Sequence, residues 1–202
     1  MTVIDAGRMR DRITRLQIAE TDAGFAWQED GMRHALAEWP AKRSVFSSVA
    51  MSARAVKLTM RRDDRLTLRH ALRLQDGRHL FLTQITPEEN RLYMVVEAAV
   101  VRLSDCSVKR TKKIIDPEFN RVKLDTERTV SFPAVLSERY LQDRQTIPQL
   151  MNTERMVLTC PKVVDLNIGE SVMVDGAEYI VLVAHELDPD RNDYEVQRKI
   201  DA

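Results

Sequence analysis

The sequence predicts an all-β protein: two tandem small β-barrel or sandwich domains, each of about six strands with one long insert loop. Three observations predict it. Short apolar runs with partial period-2 alternation are separated by turns rich in Gly, Pro, Asn and Asp. An apolar run, an Asp-Gly turn and a second apolar run occur at Leu74-Gln75-Asp76-Gly77-Arg78-His79-Leu80 and again at Met173-Val174-Asp175-Gly176-Ala177-Glu178-Tyr179. Further matches follow in the same order at offsets near one hundred residues, as in a duplicated domain with loop insertions. Leu58-Thr59 matches Leu158-Thr159, Trp39-Pro40-Ala41 matches Phe132-Pro133-Ala134, and Tyr93-Met94-Val95 matches Tyr194-Glu195-Val196. The duplication places one domain at 1–103 and a diverged second copy at 104–202.

In the first half, Arg12–Ala19 reads as a strand turned at Asp22-Ala23-Gly24, with a return strand ending near Trp39. Leu72–Leu74 and His79–Ile85 flank Asp76-Gly77, a dipeptide suited to a two-residue type I′ turn because both central residues need positive φ. Thr86–Asn90 is a turn by composition, and Leu92–Val101 is the last strand. In the second half, Val108–Ile115 turns at Asp116–Asn120 and returns to end near Phe132. Ser171–Val174 and Tyr179–Val183 flank the second Asp-Gly, and Tyr194–Ile200 closes the domain. Pro40 and Pro133, lacking an amide donor, suit strand ends or exposed edges. One segment per half breaks the strand pattern: Ser44–Ala55, small and weakly helical, and Ser137–Thr153, polar and interrupted by Pro148. Long inserts in compact barrels are often functional.

The 202 residues carry 31 basic and 31 acidic side chains and 44% hydrophobic residues. That composition is of a folded chain, and zero net charge argues against bulk-potential binding of nucleic acid. The charge is split: residues 1–103 hold 17 basic and 13 acidic groups, residues 104–202 hold 14 and 18. Such halves can attract each other, or a neighbouring copy. No apolar run approaches the roughly 18 residues of a membrane span. The start of the chain lacks a secretory apolar core, so a soluble protein of a cytoplasm-like compartment is expected.

Signatures of catalysis are lacking. No GxSxG, GxxxxGK[ST] or GxGxxG occurs. His34, His70, His79 and His185 form no metal-ligand spacing, although a hairpin could bring His70 and His79 together. Cys106 and Cys160 read as small buried thiols. Asp63-Asp64 and Glu88-Glu89 read as solvated, salt-bridged turns. Trp27, Trp39, Phe81, Tyr93, Phe132, Tyr179 and Tyr194 read as core anchors. Neither a catalytic residue, a metal site nor a cofactor is expected. The densest basic cluster, Arg8, Arg10, Arg12 and Arg15, has two readings: a docking surface for an acidic partner, or an exposed strand edge where charge prevents unwanted pairing.

The first half also resembles a known family. The features are Met9-Arg10-Asp11-Arg12-Ile13 before a strand, Gly24…Trp27, a variable insert, and Val56-Lys57-Leu58-Thr59-Met60-Arg61. They continue with Gln75-Asp76-Gly77-Arg78-His79-Leu80, Leu82-Thr83-Gln84-Ile85 and Arg91-Leu92-Tyr93. Over residues 8–101 this order resembles the head–tail joining, or head-closure (stopper), proteins of tailed bacteriophages. The resemblance implies a non-enzymatic virion protein of the neck, present in the host cytoplasm during assembly. It implies a ring homo-oligomer of six or twelve copies below the portal or adaptor protein. Such a ring helps retain packaged double-stranded DNA and docks the tail terminator or tail tube protein, with no membrane partner. The insert would face the channel, with Lys42, Arg43, Ser44, Arg54 and Lys57 beside DNA phosphates, and Arg8, Arg10, Arg12 and Arg15 on a docking surface. The family commonly has one barrel of half this length. A tail-terminator role, or a cytoplasmic ligand-binding or enzymatic double barrel, are the alternative readings.

Overall fold

The computed structural model describes residues 7, 9–40, 43–44, 53–88, 92–116, 121–138 and 155–199. All of the regular structure in it is β. The strands are Asp11–Thr21 (β1), Gly24–Glu38 (β2), Arg43–Ser44 (β3), Ala53–Arg61 (β4), Ala71–Leu74 (β5), His79–Pro87 (β6) and Tyr93–Val101 (β7). They continue with Ser104–Asp116 (β8), Arg121–Glu138 (β9), Arg155–Pro161 (β10), Ser171–Val174 (β11), Ala177–His185 (β12) and Arg191–Arg198 (β13).

The pairings close twice in the same order. In the first half β1 pairs β2, β2 pairs β4, β4 pairs β7, β7 pairs β6, β6 pairs β5, and β5 returns to β1. In the second, β8, β9, β10, β13, β12 and β11 form the same circuit. Closure removes the sheet edges that an open meander of this length would expose. Even an irregularity is duplicated. The register shifts between Leu82 and Gln84 on β6, and at the corresponding place between Val181 and Val183 on β12.

Register corrects two of the sequence matches. Thr59 faces Leu36 on β2 as Thr159 faces Val135 on β9, so the counterpart of Ala134 is Ala35. Trp39 and Pro40 lie past the end of β2, whereas Phe132 and Pro133 sit inside β9, which runs on to Glu138. Pro133 faces Asp105, and on its other flank β9 carries no strand between Ser131 and Val135 among the described residues, so a missing donor costs little there. Likewise Leu58 faces Val96 as Leu158 faces Tyr194, so Tyr194 corresponds to Val96 and not to Tyr93. Similar dipeptides outside the true register produced both matches. Leu58-Thr59 and Leu158-Thr159 do correspond.

The two Asp-Gly turns also differ. Asp175 and Gly176 both have positive φ, 49° and 84°, and join Val174 directly to Ala177 as a two-residue turn. Around Gly77 the amide of Gly77 donates to Leu74 and that of Leu74 to Arg78, widening the loop by one residue with only Gly77 left-handed. The insert expected at Ser44–Ala55 is strand at both ends: Arg43 and Ser44 pair with Arg54 and Ala53, and 45–52 lie outside the described residues. Of Ser137–Thr153, Ser137 and Glu138 finish β9, and the remainder lies outside them too.

Alternation along the strands fills each barrel. Ile13, Leu58, Leu72, Leu80, Leu82, Val96 and Ala98 form the first core; Val108, Phe132, Leu158, Cys160, Val172, Val181 and Tyr194 belong to the second. A third cluster uses the opposite parity. Leu16, Ala71, Phe81, Ala99 and Val101, facing out of the first barrel, pack on Val135 and Val157, facing out of the second. This explains why Leu80-Phe81-Leu82 and Ala98-Ala99-Val100-Val101 are apolar without alternation: both faces are covered. On β1 the change of parity occurs at a bulge, where Asp30 and Gly31 oppose one residue, so that Ile13 enters the barrel core and Leu16 the seam.

Candidate functional site

The end of the first barrel from which its insert leaves holds several of the expected residues. Trp39, just beyond β2, has two guanidinium groups over its ring: that of Arg54 is 5.0 Å and that of Arg78 4.5 Å from the ring centroid. Arg78 is aimed by Asp76, whose carboxylate accepts from its Nε at 2.7 Å. The same contact holds the Asp76 carboxyl below its ordinary range and raises Arg78. Lys57, on β4 opposite Glu38, is exposed and 3.9 Å from the Glu38 carboxylate. Arg43 and Ser44 are brought to this end by their pairing with Arg54 and Ala53. Lys42 lies outside the described residues. Trp39 and Arg78 were missed as partners of Arg54. An Asp-x-Arg motif next to a turn was the only signal for Arg78, and nothing local linked it to Trp39.

The N-terminal arginines divide. Arg8 lies outside the described residues, while Arg10 and Arg12 are exposed, Arg10 donating to the Gly7 carbonyl at 3.3 Å and Arg12 lying against the Met32 sulfur. Arg15 corrects the expectation of a docking residue, because it is 2% exposed. It bridges Asp63 at 2.7 Å and Asp30 at 2.6 Å, and donates to the Asp30 carbonyl at 2.8 Å. Asp63 also meets Arg33 at 3.0 Å. Burial alone would raise the Asp63 carboxyl; the Arg65 amide and the charges of Arg15, Arg33 and Arg65 outweigh it and hold the group below its usual value. Asp63 is therefore the buried anchor of a bulge, not a solvated turn residue, whereas Asp64 pairs with Arg62 in an exposed turn as expected.

His70 contacts Thr67, three residues away, whereas His79 faces Arg73 across β5 and β6. Among the described residues no three His, Cys, Asp or Glu side chains gather as metal ligands. Cys106 and Cys160 are buried free thiols, and burial pushes Cys106 up to about 12 and Cys160 well above its ordinary value, so neither is a ready nucleophile. No helix among the described residues is long and apolar enough to cross a membrane.

The two barrels are tied by a residue that sequence reading overlooked. Arg191, at the start of β13, donates to the Leu82 carbonyl at 2.6 Å and to that of Leu68 at 3.3 Å, with its guanidinium 4.7 Å from the Phe81 ring centroid. Beside it Arg69 donates to the Pro189 carbonyl at 2.9 Å. A second contact is made by the β1–β2 turn, where the Ser131 amide donates to Ala23 at 2.7 Å and Arg128 to Asp22 at 2.9 Å. Between these two strands, past the single parallel pair Gly24–Ser131, opens a cleft of about 460 Å³ lined by Phe25 and Trp27 of β2, Asp105 of β8, and Phe132 and Pro133 of β9.

No protein-family model matches the chain, and no curated protein matches it. Among solved structures, the solution structure of protein SF1141 from Shigella flexneri 2a is similar over 48% of this chain and 96% of its own, with 17% identity and a TM-score of 0.38. A likeness of that size indicates neither activity nor partner.

Proposed function

We propose that this chain is a structural, non-enzymatic virion protein of a tailed-phage neck. Copies of it pack as a ring below the portal or adaptor protein, help retain packaged DNA and present a surface to the tail. The order of strand, turn and insert motifs over residues 8–101 supports this reading. The observation that carries it is the basic rim at the root of the first insert: Arg54 and Arg78 over the Trp39 ring, with Lys57 and the backbone of Arg43 alongside. A guanidinium lying over an indole keeps its N–H edge for an anion, as Arg54 does, whereas the edge of Arg78 is taken by Asp76. Such groups contact phosphate without reading bases, which suits a channel that DNA must later traverse.

Replacing Lys42, Arg43, Arg54 and Lys57 together with Ala tests the assignment. Assembled particles carrying the variant should lose packaged DNA, with a several-fold fall in the nuclease-protected fraction at low salt and a difference from the parent that narrows as salt is raised. Arg54 over Trp39 and the Lys57–Glu38 pair are exposed charges that contribute at most about 1 kcal/mol each, and Trp39 keeps its packing on the core, so the barrel should still fold. Unchanged retention in particles that contain the variant in the neck removes these residues from the channel.

A further inference from the structure

Resting on the reading above, we infer that copies of this chain join head to tail, the β8–β9 hairpin of one lying along the free flank of β2 in the inter-barrel cleft of the next. The hairpin is longer than the barrel needs. β11 pairs with β8 only from Cys106 to Val108, and β10 pairs with β9 only from Val135 to Glu138. Beyond them β8 and β9 remain paired with each other out to Asp116 and Arg121. Residues 111–116 and 121–127 therefore form a two-stranded arm with no third strand among the described residues, some ~20 Å long at about 3.3 Å per residue. A ribbon of two strands is marginal in water. This one carries Ile114, Ile115, Val122 and Leu124, with Ile115 directly opposite Val122.

The receiving surface is on the same chain. Between Gly24, which pairs with β9, and Ala35, which pairs with β4, the flank of β2 turned away from β1 has no strand partner among the described residues. The cleft beside its first residues is lined by Phe25, Ala26 and Trp27 of β2 itself. An added strand would pair with the backbone amides and carbonyls of that flank, with Phe25 and Trp27 beside it. The molecule already makes a contact of this kind internally, since the tip of its first hairpin docks on the flank of β9 at Ser131. Position 131 corresponds to Met32 on β2, which is 41% exposed. The first hairpin is thus docked within the chain, while the second hairpin and the flank of β2 have no further strand among the described residues. A knob and a hole on different faces of one subunit make a heterologous contact, which propagates and closes into a ring when the rotation allows.

Two single-cysteine variants test the contact, Ala26→Cys in the cleft and Leu124→Cys on the arm, with buried Cys106 and Cys160 left in place. Mixed at high concentration under mild oxidation, they should give a reducible two-chain product that neither gives alone. A variant carrying both should give a ladder of higher species. Ile115→Lys, on the arm outside both barrels, should leave the circular dichroism unchanged and reduce the cross-linked yield at least tenfold. No product in the mixture, or equal products from each variant alone, overturns the inference. A ring visible in the particle neck without the 26–124 cross-link rejects this surface and leaves the neck reading standing. The cross-link in purified chain, with no copies in particles, does the reverse.

Discussion

Arg15 shows what a single residue can hide. In the sequence it is one of four basic residues near the start; in the fold it is the ion-paired strut of the bulge that carries β1 from the barrel core to the seam. Its partner Asp63 has a carboxyl held below the ordinary range, so the pair stabilises fully above the unfolded carboxylate pKa near ~4 and loses that contribution as pH falls toward the folded value. Asp63→Asn should lower stability at pH 7 by about 1–2 kcal/mol, less than a fully buried pair because water reaches Arg33 and Asp30. The gap between variant and parent in urea midpoints should narrow between pH 5 and about pH 3. A gap that widened on acidification would contradict the assignment. Which arginine of four is buried was not legible locally, since nothing adjacent to Arg15 marks the partner that lies 48 residues away.

Among elements, the first hairpin illustrates a glycine placed by a tertiary contact. Gly24 has φ of +138°, and a Cβ there would lie 2.1 Å from the Ser131 carbonyl oxygen. Gly31, in the bulge of the same strand, has φ of +113° but open space around a Cβ, the nearest atom being an Arg33 side-chain nitrogen at 3.7 Å. Gly31→Ala should therefore cost about 1 kcal/mol of backbone strain, and Gly24→Ala that strain plus displacement of the turn from β9, at least about 2–3 kcal/mol. Equal shifts in chemical denaturation would mean that the turn is not pressed against β9. The strands and the hairpins themselves were readable, because alternation and turn residues are local signals. Their exact ends were not: Trp39-Pro40 resembles Phe132-Pro133, yet one pair follows a strand and the other lies within one. The two Asp-Gly turns looked alike and differ by one residue of loop.

For the whole molecule, the seam between the barrels is the decisive feature. It combines outward-facing Phe81, Ala99, Val101, Val135 and Val157 with Arg191, which reaches from the second barrel to carbonyls of the first. Burial pulls the Arg191 pKa down while Asp188, Asp193 and Asp190 favour its charge. Arg191→Ala leaves two carbonyls short of a donor and should lower the unfolding midpoint by the equivalent of about 2–3 kcal/mol, a change calorimetry can read. It should also loosen the coupling of the barrels, so that one transition broadens toward two. An unchanged, single sharp transition would show the apolar cluster alone to hold the seam.

What the amino-acid order settled by itself was the all-β class, the duplication and most of the turns, because each is written in the spacing of neighbouring residues. Nearness in sequence also put Arg54 and Lys57 at the root of the insert, where β4 begins. Only the tertiary structure decided the register of the two copies, the burial of Arg15, the pairing of Trp39 with Arg78, and the role of Arg191. Those depend on which distant strands lie side by side, and pairing across tens of residues leaves no trace in the local pattern of either partner.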